Sequence, residues 1–196
     1  FGSHSEKLVQ TPSAETLRLS DTVTKAYMKG TNEGLFLPEN MLTRAEAAVI
    51  LAQLTNYDDM ITYPQGEAED VNPQSWYSNE VNALYDSGVL SGKEFMPDRP
   101  ITRGELVLWL YSLAGAPSET GTEKLPFSDV ALDNQQYSAI AYCWSQGWID
   151  GYTDGTFRPD APITRAETAA MLNCVINRKP MDTIAASRFR DVPRDY

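Results

Sequence analysis

Histidine is almost missing from this chain of 196 residues: the single one is His4. Ser-His-Asp and Cys-His nucleophiles, imidazole acid–base chemistry and His-ligated metal are thereby removed. Acidic residues are plentiful, but no carboxylate pair sits in a recognisable glycosidase arrangement, so no catalytic residue, metal or cofactor is assigned. No apolar run approaches the roughly 18 residues needed to cross a bilayer, so membrane insertion is not expected. Positive charge is also short. Sixteen Lys and Arg face 27 Asp and Glu, for a net charge of −11 and a pI near 4.5. Nucleic acids and anionic membranes are met by basic surface, so neither is expected as a partner, and any anion must be held by locally placed arginines. The start, Phe1-Gly2-Ser3-His4, reads as a tag remnant with a linker over residues 1–10, so the lack of a leader says nothing about export.

What is present reads as globular: 42% hydrophobic and 22% charged residues, with four Trp, ten Tyr and six Phe to build a core. The dominant feature is internal repetition. Thr-Arg-x-Glu occurs at Thr43–Glu46, Thr102–Glu105 and Thr164–Glu167, its arginines 59 and 62 residues apart. Each copy is preceded by Leu42, Ile101 or Ile163, then by Pro38, Pro97 or Pro159, then by Phe36, Phe95 or Phe157. Gly30–Gly34 aligns without gaps on Gly151–Gly155, whereas the second copy is shortened to Ser91-Gly92. An Asp-Val pair stands at Asp70-Val71, Asp129-Val130 and Asp191-Val192. The expected units are residues 11–60, with a diverged first half, 61–118, 119–180, and a tail over 181–196.

Each unit reads as helix, loop, helix, making the chain all-α. The periodicity predicts helices near 78–87 and 135–146, ending at Gly88 and Gly147, with Val81, Leu84, Tyr85, Ile140, Cys143 and Trp144 inward. The second helix of each unit starts at Thr-Arg-x-Glu. Its apolar positions are Val49, Ile50 and Leu54, then Val107, Leu108 and Leu110, then Met171, Leu172 and Val175. Cys143 and Cys174 fall in the two helices of one unit, so a disulfide is geometrically possible; two buried thiols is the plainer reading.

Thr-x-x-Glu before an apolar helix is a capping box, which accounts for Thr43, Glu46, Thr102, Glu105, Thr164 and Glu167. Arg44, Arg103 and Arg165 are not accounted for, since a cation at N1 is disfavoured by the helix dipole. Two readings stand open. One is an ion pair with a neighbouring carboxylate. The other is an anion site, where free N–H groups of the helix N-terminus act beside a bidentate guanidinium. Asp150, Asp154 and Gly155 imitate positions 1, 5 and 6 of a calcium loop, but Tyr152 and Ala161 stand where ligands are needed, so a tight turn is preferred. Trp76, Tyr77, Tyr137, Trp144 and Trp148 are read mainly as core, with room for one or two to stack on a sugar at a groove edge.

Phe127-Ser-Asp-Val130, Ala139-Ile140, Gly147 through Pro159 and Ile163–Glu167 together closely resemble the S-layer homology repeat. The third copy matches almost throughout, the first from Gly30 to Glu46, and the second at both ends. The resemblance implies three repeats packed as a pseudo-three-fold, all-helical unit on the bacterial cell surface. It implies secondary cell-wall polysaccharide, often carrying a pyruvate-ketal amino sugar, as the ligand in grooves between repeats, with Arg44, Arg103 and Arg165 central to binding. Gly30, Gly151, Asp154, Trp76 and Trp144 join them as candidate glycan contacts. Because the second copy has Gly104 and a pruned loop, its groove is expected to be altered, which places Arg103 below Arg44 and Arg165. The alternative is a protein-interaction module, assembling with other surface-layer proteins after losing glycan binding. The Phe189–Val192 segment either returns to complete the first repeat or begins a fourth.

Overall fold

A computed structural model describes residues 16–20, 26–115, 124–178 and 189–192. The tag remnant expected at residues 1–10 lies outside these. Five helices are described: α1 (Arg44–Gln53), α2 (Ser78–Asp86), α3 (Arg103–Leu113), α4 (Tyr137–Ser145) and α5 (Arg165–Val175). Among the described residues there is no sheet, only isolated bridges, and the all-α expectation holds. The first helix expected of the first repeat falls on residues 11–29. Of these, 16–20 and 26–29 are described, and they are not helical.

Helices α1, α3 and α5 each begin with the full capping box, Thr43–Glu46, Thr102–Glu105 and Thr164–Glu167. Helices α2 and α4 begin without a side-chain cap. The Asn72 and Asn134 side chains instead accept from the amides of Gln74 and Gln136, turning the chain just before each helix. That turn delays α4 to Tyr137, two residues after the sequence-based start. Both helices end as expected. Gly88 and Gly147 adopt φ of +71° and +69°, and the next amides, Val89 and Trp148, donate back to the carbonyls of Leu84 and Cys143.

Helices pack across repeat boundaries: α1 against α2 and α3 against α4. This corrects the cysteine expectation. Cys143 on α4 is buried facing Val107 of α3, while Cys174 on α5 is exposed, and both are free thiols. Two inward assignments also change. Leu108 turns outward and Trp109 takes the buried place beside it; Trp144 is 36% exposed.

The repeats meet at a cycle of backbone bonds. Leu42 donates to the Ile163 carbonyl (3.0 Å), Ile163 to Ile101 (3.1 Å) and Ile101 to Leu42 (2.9 Å). All three side chains are fully buried. The cycle pairs each pre-helix strand of chain with the other two, so the start of every Thr-Arg-x-Glu helix is held against the loop of a neighbouring repeat.

Candidate functional site

That placement decides what surrounds each arginine. The N1 and N2 amides do not stay free. Arg44 and Ala45 donate to the carbonyls of Arg99 and Pro97, Arg103 and Gly104 to Ala161 and Pro159, and Arg165 and Ala166 to Asn40 and Pro38. The Thr hydroxyls take the N3 amides. The helix N-termini therefore offer no open N–H cradle, which corrects the free N–H part of the anion-site expectation: these donors are satisfied by the neighbouring repeat.

The guanidinium groups repeat one geometry. Arg44 Nε donates to the Phe95 carbonyl (2.6 Å), Arg103 Nε to Phe157 (3.0 Å) and Arg165 Nε to Phe36 (2.9 Å). Each reaches the capping-box glutamate of the neighbouring repeat: Arg44 to Glu105 at 2.6 Å, Arg103 to Glu167 at 3.7 Å and Arg165 to Glu46 at 3.8 Å. Each also lies over the ring of its phenylalanine, at 5.2, 4.7 and 5.0 Å from the centroid. So the ion-pair reading is present at all three junctions, and the glutamates serve both as caps and as counter-ions.

The loops that present the phenylalanine carbonyls are held by the Asp-Val pairs, of which the sequence suggested a role only for the tail segment Phe189–Val192. Asp70 accepts from the amides of Phe95 and Met96, Asp129 from Phe157 and Arg158, and Asp191 from Phe36 and Leu37. In each case the second amide belongs to a residue at positive φ: Met96 +55°, Arg158 +59°, Leu37 +56°. Left-handed backbone is costly for such side chains and persists only where surroundings hold it. Two charge-assisted bonds from one carboxylate do so here. The residue before each Asp completes the clasp: Glu69, Ser128 and Arg190 donate to the carbonyls of Lys93, Gly155 and Gly34. Phe127 and Phe189 close against Gly151 and Gly30, where an added Cβ would lie within 2.6 and 2.4 Å of the rings. Those two glycines are thus explained by close packing. In the second repeat Ala68 stands where Phe127 would, matching its pruned loop.

The junctions are alike in bonding but unlike in open space. A cavity of about 780 Å³ is lined by Arg165, Glu46, Tyr27, Lys29, Ile50 and Trp76, among others. A second, about 200 Å³, is lined by Arg103, Glu167, Trp148, Gly151, Tyr152, Met171 and Cys174, among others. Most of their lining corresponds, with Tyr27 matching Trp148, Ile50 matching Met171 and Gln53 matching Cys174. The smaller one is narrowed by Tyr152, whose place in the first repeat is taken by Thr31. Tyr152 lies between Arg103 (4.8 Å) and Arg158 (4.0 Å) and its hydroxyl bonds Glu167. At the Arg44 junction the place of Ile50 and Met171 is taken by Trp109, 4% exposed, with the guanidinium 5.0 Å from its ring.

The premise behind ranking Arg103 below the other two is therefore corrected. The pruned loop of the second repeat faces Arg44, not Arg103, because each arginine reaches forward into the next repeat. Arg103 faces the intact Gly151–Gly155 loop. Gly104 has a packing reason: a Cβ there would lie 2.0 Å from the Gln136 side chain. Trp76 is 65% exposed and lines the larger cavity; Trp144 lines neither. Asp154 lies outside both, tied to Thr156 and Arg158, and these bonds pull its carboxyl down to about 2. Among the described residues no cluster of three or more His, Cys, Asp or Glu is placed to hold a metal.

Electrostatics favour the closed clasps. Burial pushes Glu105 and Glu167 up. For Glu105 the Arg99 bond, the Thr102 amide and Arg44 outweigh this; for Glu167 the Thr164 amide, Tyr152 and Arg103 do so, leaving both below the ordinary carboxylate range. Asp70 and Asp191 are likewise raised by burial but held low by the loop amides they accept from.

A family described as S-layer homology domain matches residues 20–48, 69–107 and 126–169. The cellulosome-anchoring protein of Acetivibrio thermocellus is 35% identical over 179 residues, covering 87% of this chain and 39% of that protein. An amylopullulanase of Thermoanaerobacterium thermosulfurigenes is 29% identical over 74% of this chain and 14% of its own length. An S-layer protein of Bacillus thuringiensis subsp. finitimus is 26% identical over 76% and 18% respectively. The chain thus spans well under half of each of these relatives.

Proposed function

The chain belongs to the S-layer homology domain family, and from that premise we propose that it ties a longer protein to the bacterial wall by holding secondary cell-wall polysaccharide in two of its inter-repeat grooves. It is a cell-surface anchoring module. The reading is non-catalytic: the amylopullulanase, which carries an enzyme's name, is matched over only 14% of its length. The three repeats are read as a pseudo-three-fold unit, in keeping with the cyclic backbone bonds at Leu42, Ile101 and Ile163.

The observation that carries the glycan reading is the pair of corresponding cavities, each with a guanidinium at its wall and aromatic residues beside it. A sugar bearing a carboxylate, such as a pyruvate ketal, suits an arginine already held in place by two backbone carbonyls (Phe157 and Asp150 for Arg103, Phe36 and Lys29 for Arg165), a glutamate and a ring, because little reorganisation is required on binding. Lysine keeps the charge but loses the planar fork. Wall sacculi that retain their polysaccharide are expected to pull down the wild-type chain but not an Arg103→Lys/Arg165→Lys variant of unchanged circular dichroism. Arg44→Lys is expected to retain binding. Retention by the double variant, or binding only to surface-layer protein, would sink the reading.

A further inference from the structure

The larger cavity is built from all three repeats. Arg165 comes from the third, Tyr27, Lys29 and Glu46 from the first, and Trp76 and Glu80 from the second. The Arg165–Glu46 contact stands at its wall as Arg103–Glu167 stands at the wall of the smaller one. The second repeat's contribution has no counterpart in the lining of the smaller cavity. Trp76 is 65% exposed, yet its ring is braced edge-on against Tyr77, 5.4 Å between centroids, and Tyr77 is buried. A large aromatic face held rigid at the edge of a cavity loses little entropy when a flat apolar face stacks on it. The half-buried Glu80 carboxylate, one helical turn on, lines the same cavity and is an acceptor for hydroxyl groups.

We propose that the two grooves differ in the length of glycan they read: the larger one holds an anionic sugar at Arg165 and a second, neutral sugar on Trp76 and Glu80, whereas the smaller one holds the anionic sugar alone. This rests on the glycan reading above. The volumes rank the same way, about 780 Å³ lying within the range of ordinary ligand pockets and about 200 Å³ below it.

The test is calorimetric titration with two synthetic probes: a pyruvate-ketal amino sugar, and the disaccharide that adds one neutral hexose to it. Wild-type protein is expected to bind the disaccharide about ten-fold more tightly than the monosaccharide at one site only, a difference of about 1.4 kcal/mol. Trp76→Ala is expected to erase that gain, so that the two probes bind alike, Trp76→Tyr to restore part of it, and Leu132→Ala, at a 70% exposed position elsewhere, to change nothing. A disaccharide gain that survives Trp76→Ala, or that appears equally at both sites, overturns the proposal. If instead neither probe binds and Arg103→Lys/Arg165→Lys changes nothing, the glycan reading itself has failed.

Discussion

Each repeated arginine does two jobs that look opposed in sequence. Its backbone opens a helix, where a cation is disfavoured, and its side chain leaves that helix to close the junction with the next repeat. The Nε–carbonyl bond, the glutamate and the phenylalanine ring together outweigh a dipole penalty of a few tenths of a kcal/mol. The carboxylates carry the pH dependence. Asp70, Glu105, Glu167 and Asp191 all have folded-state pKa values below their ordinary ones, so the unfolded chain binds more protons in acid. Their contribution is fully present above the unfolded carboxylate range and is lost as pH falls below about 4. Thermal melts from pH 6 to pH 3 are expected to show falling stability in that window, and Asp70→Asn to flatten the fall while lowering neutral-pH stability by about 1 kcal/mol. The cysteines give a simpler check. Burial pushes the Cys143 thiol up to about 12, which leaves it inert, while Cys174 is exposed. A thiol-specific chromogenic reagent is expected to titrate one group in the folded protein and two after denaturation; two reactive groups under native conditions would contradict the packing of α4 on α3.

At the scale of elements, the loops and not the helices differ most. The capping boxes and glycine stops set five helices with ordinary signals. The loop before each Thr-Arg-x-Glu helix needs an outside carboxylate to hold its left-handed residue. For the second and third repeats that carboxylate lies upstream in the same repeat, at Asp70 and Asp129. For the first it comes from Asp191, some 155 residues downstream of Phe36. We propose on this basis that Phe189–Val192 completes the first repeat instead of starting a fourth. Removing residues 187–196 is then expected to lower the melting temperature. Loss of the Phe189 packing on Phe36 and Gly30 alone accounts for about 2 kcal/mol, or roughly 4–8 °C. The deletion is also expected to weaken glycan binding at the larger groove, whose Tyr27 and Lys29 lie next to the Gly30 that Phe189 packs against. An unchanged melting curve would leave the segment without that role.

At the scale of the whole molecule, three like junctions differ in what stands beside the guanidinium: a cavity of about 780 Å³ at Arg165, one of about 200 Å³ at Arg103 and the Trp109 indole at Arg44. At the Arg44 junction the buried Trp109 indole takes the place of Ile50 and Met171 and lies 5.0 Å from the guanidinium. Two glycan equivalents per chain are therefore expected in calorimetry. Trp109→Ile, which restores the residue type found at Ile50, is expected to cost about 1–3 kcal/mol of stability while enlarging that junction. Three equivalents in the wild-type chain would show that Trp109 does not bar the Arg44 junction to glycan.

By itself the sequence determined the repeats, their helix starts and stops, the capping role of Thr and Glu, the all-α class and the family, because these are local patterns recurring at fixed spacing. It also singled out the three arginines, since the cap accounted for their neighbours but not for them. It misplaced their surroundings. Which loop faces which arginine depends on the direction in which the cycle of repeats closes, and no spacing along the chain encodes that. The same holds for the Asp-Val pairs, whose partners are loop amides 25 or more residues away, and for Cys143, whose helix α4 packs on α3 of the preceding repeat. Only the tertiary structure placed the pruned loop against Arg44 and not Arg103, because an extended guanidinium meets the repeat it reaches, not the one it belongs to.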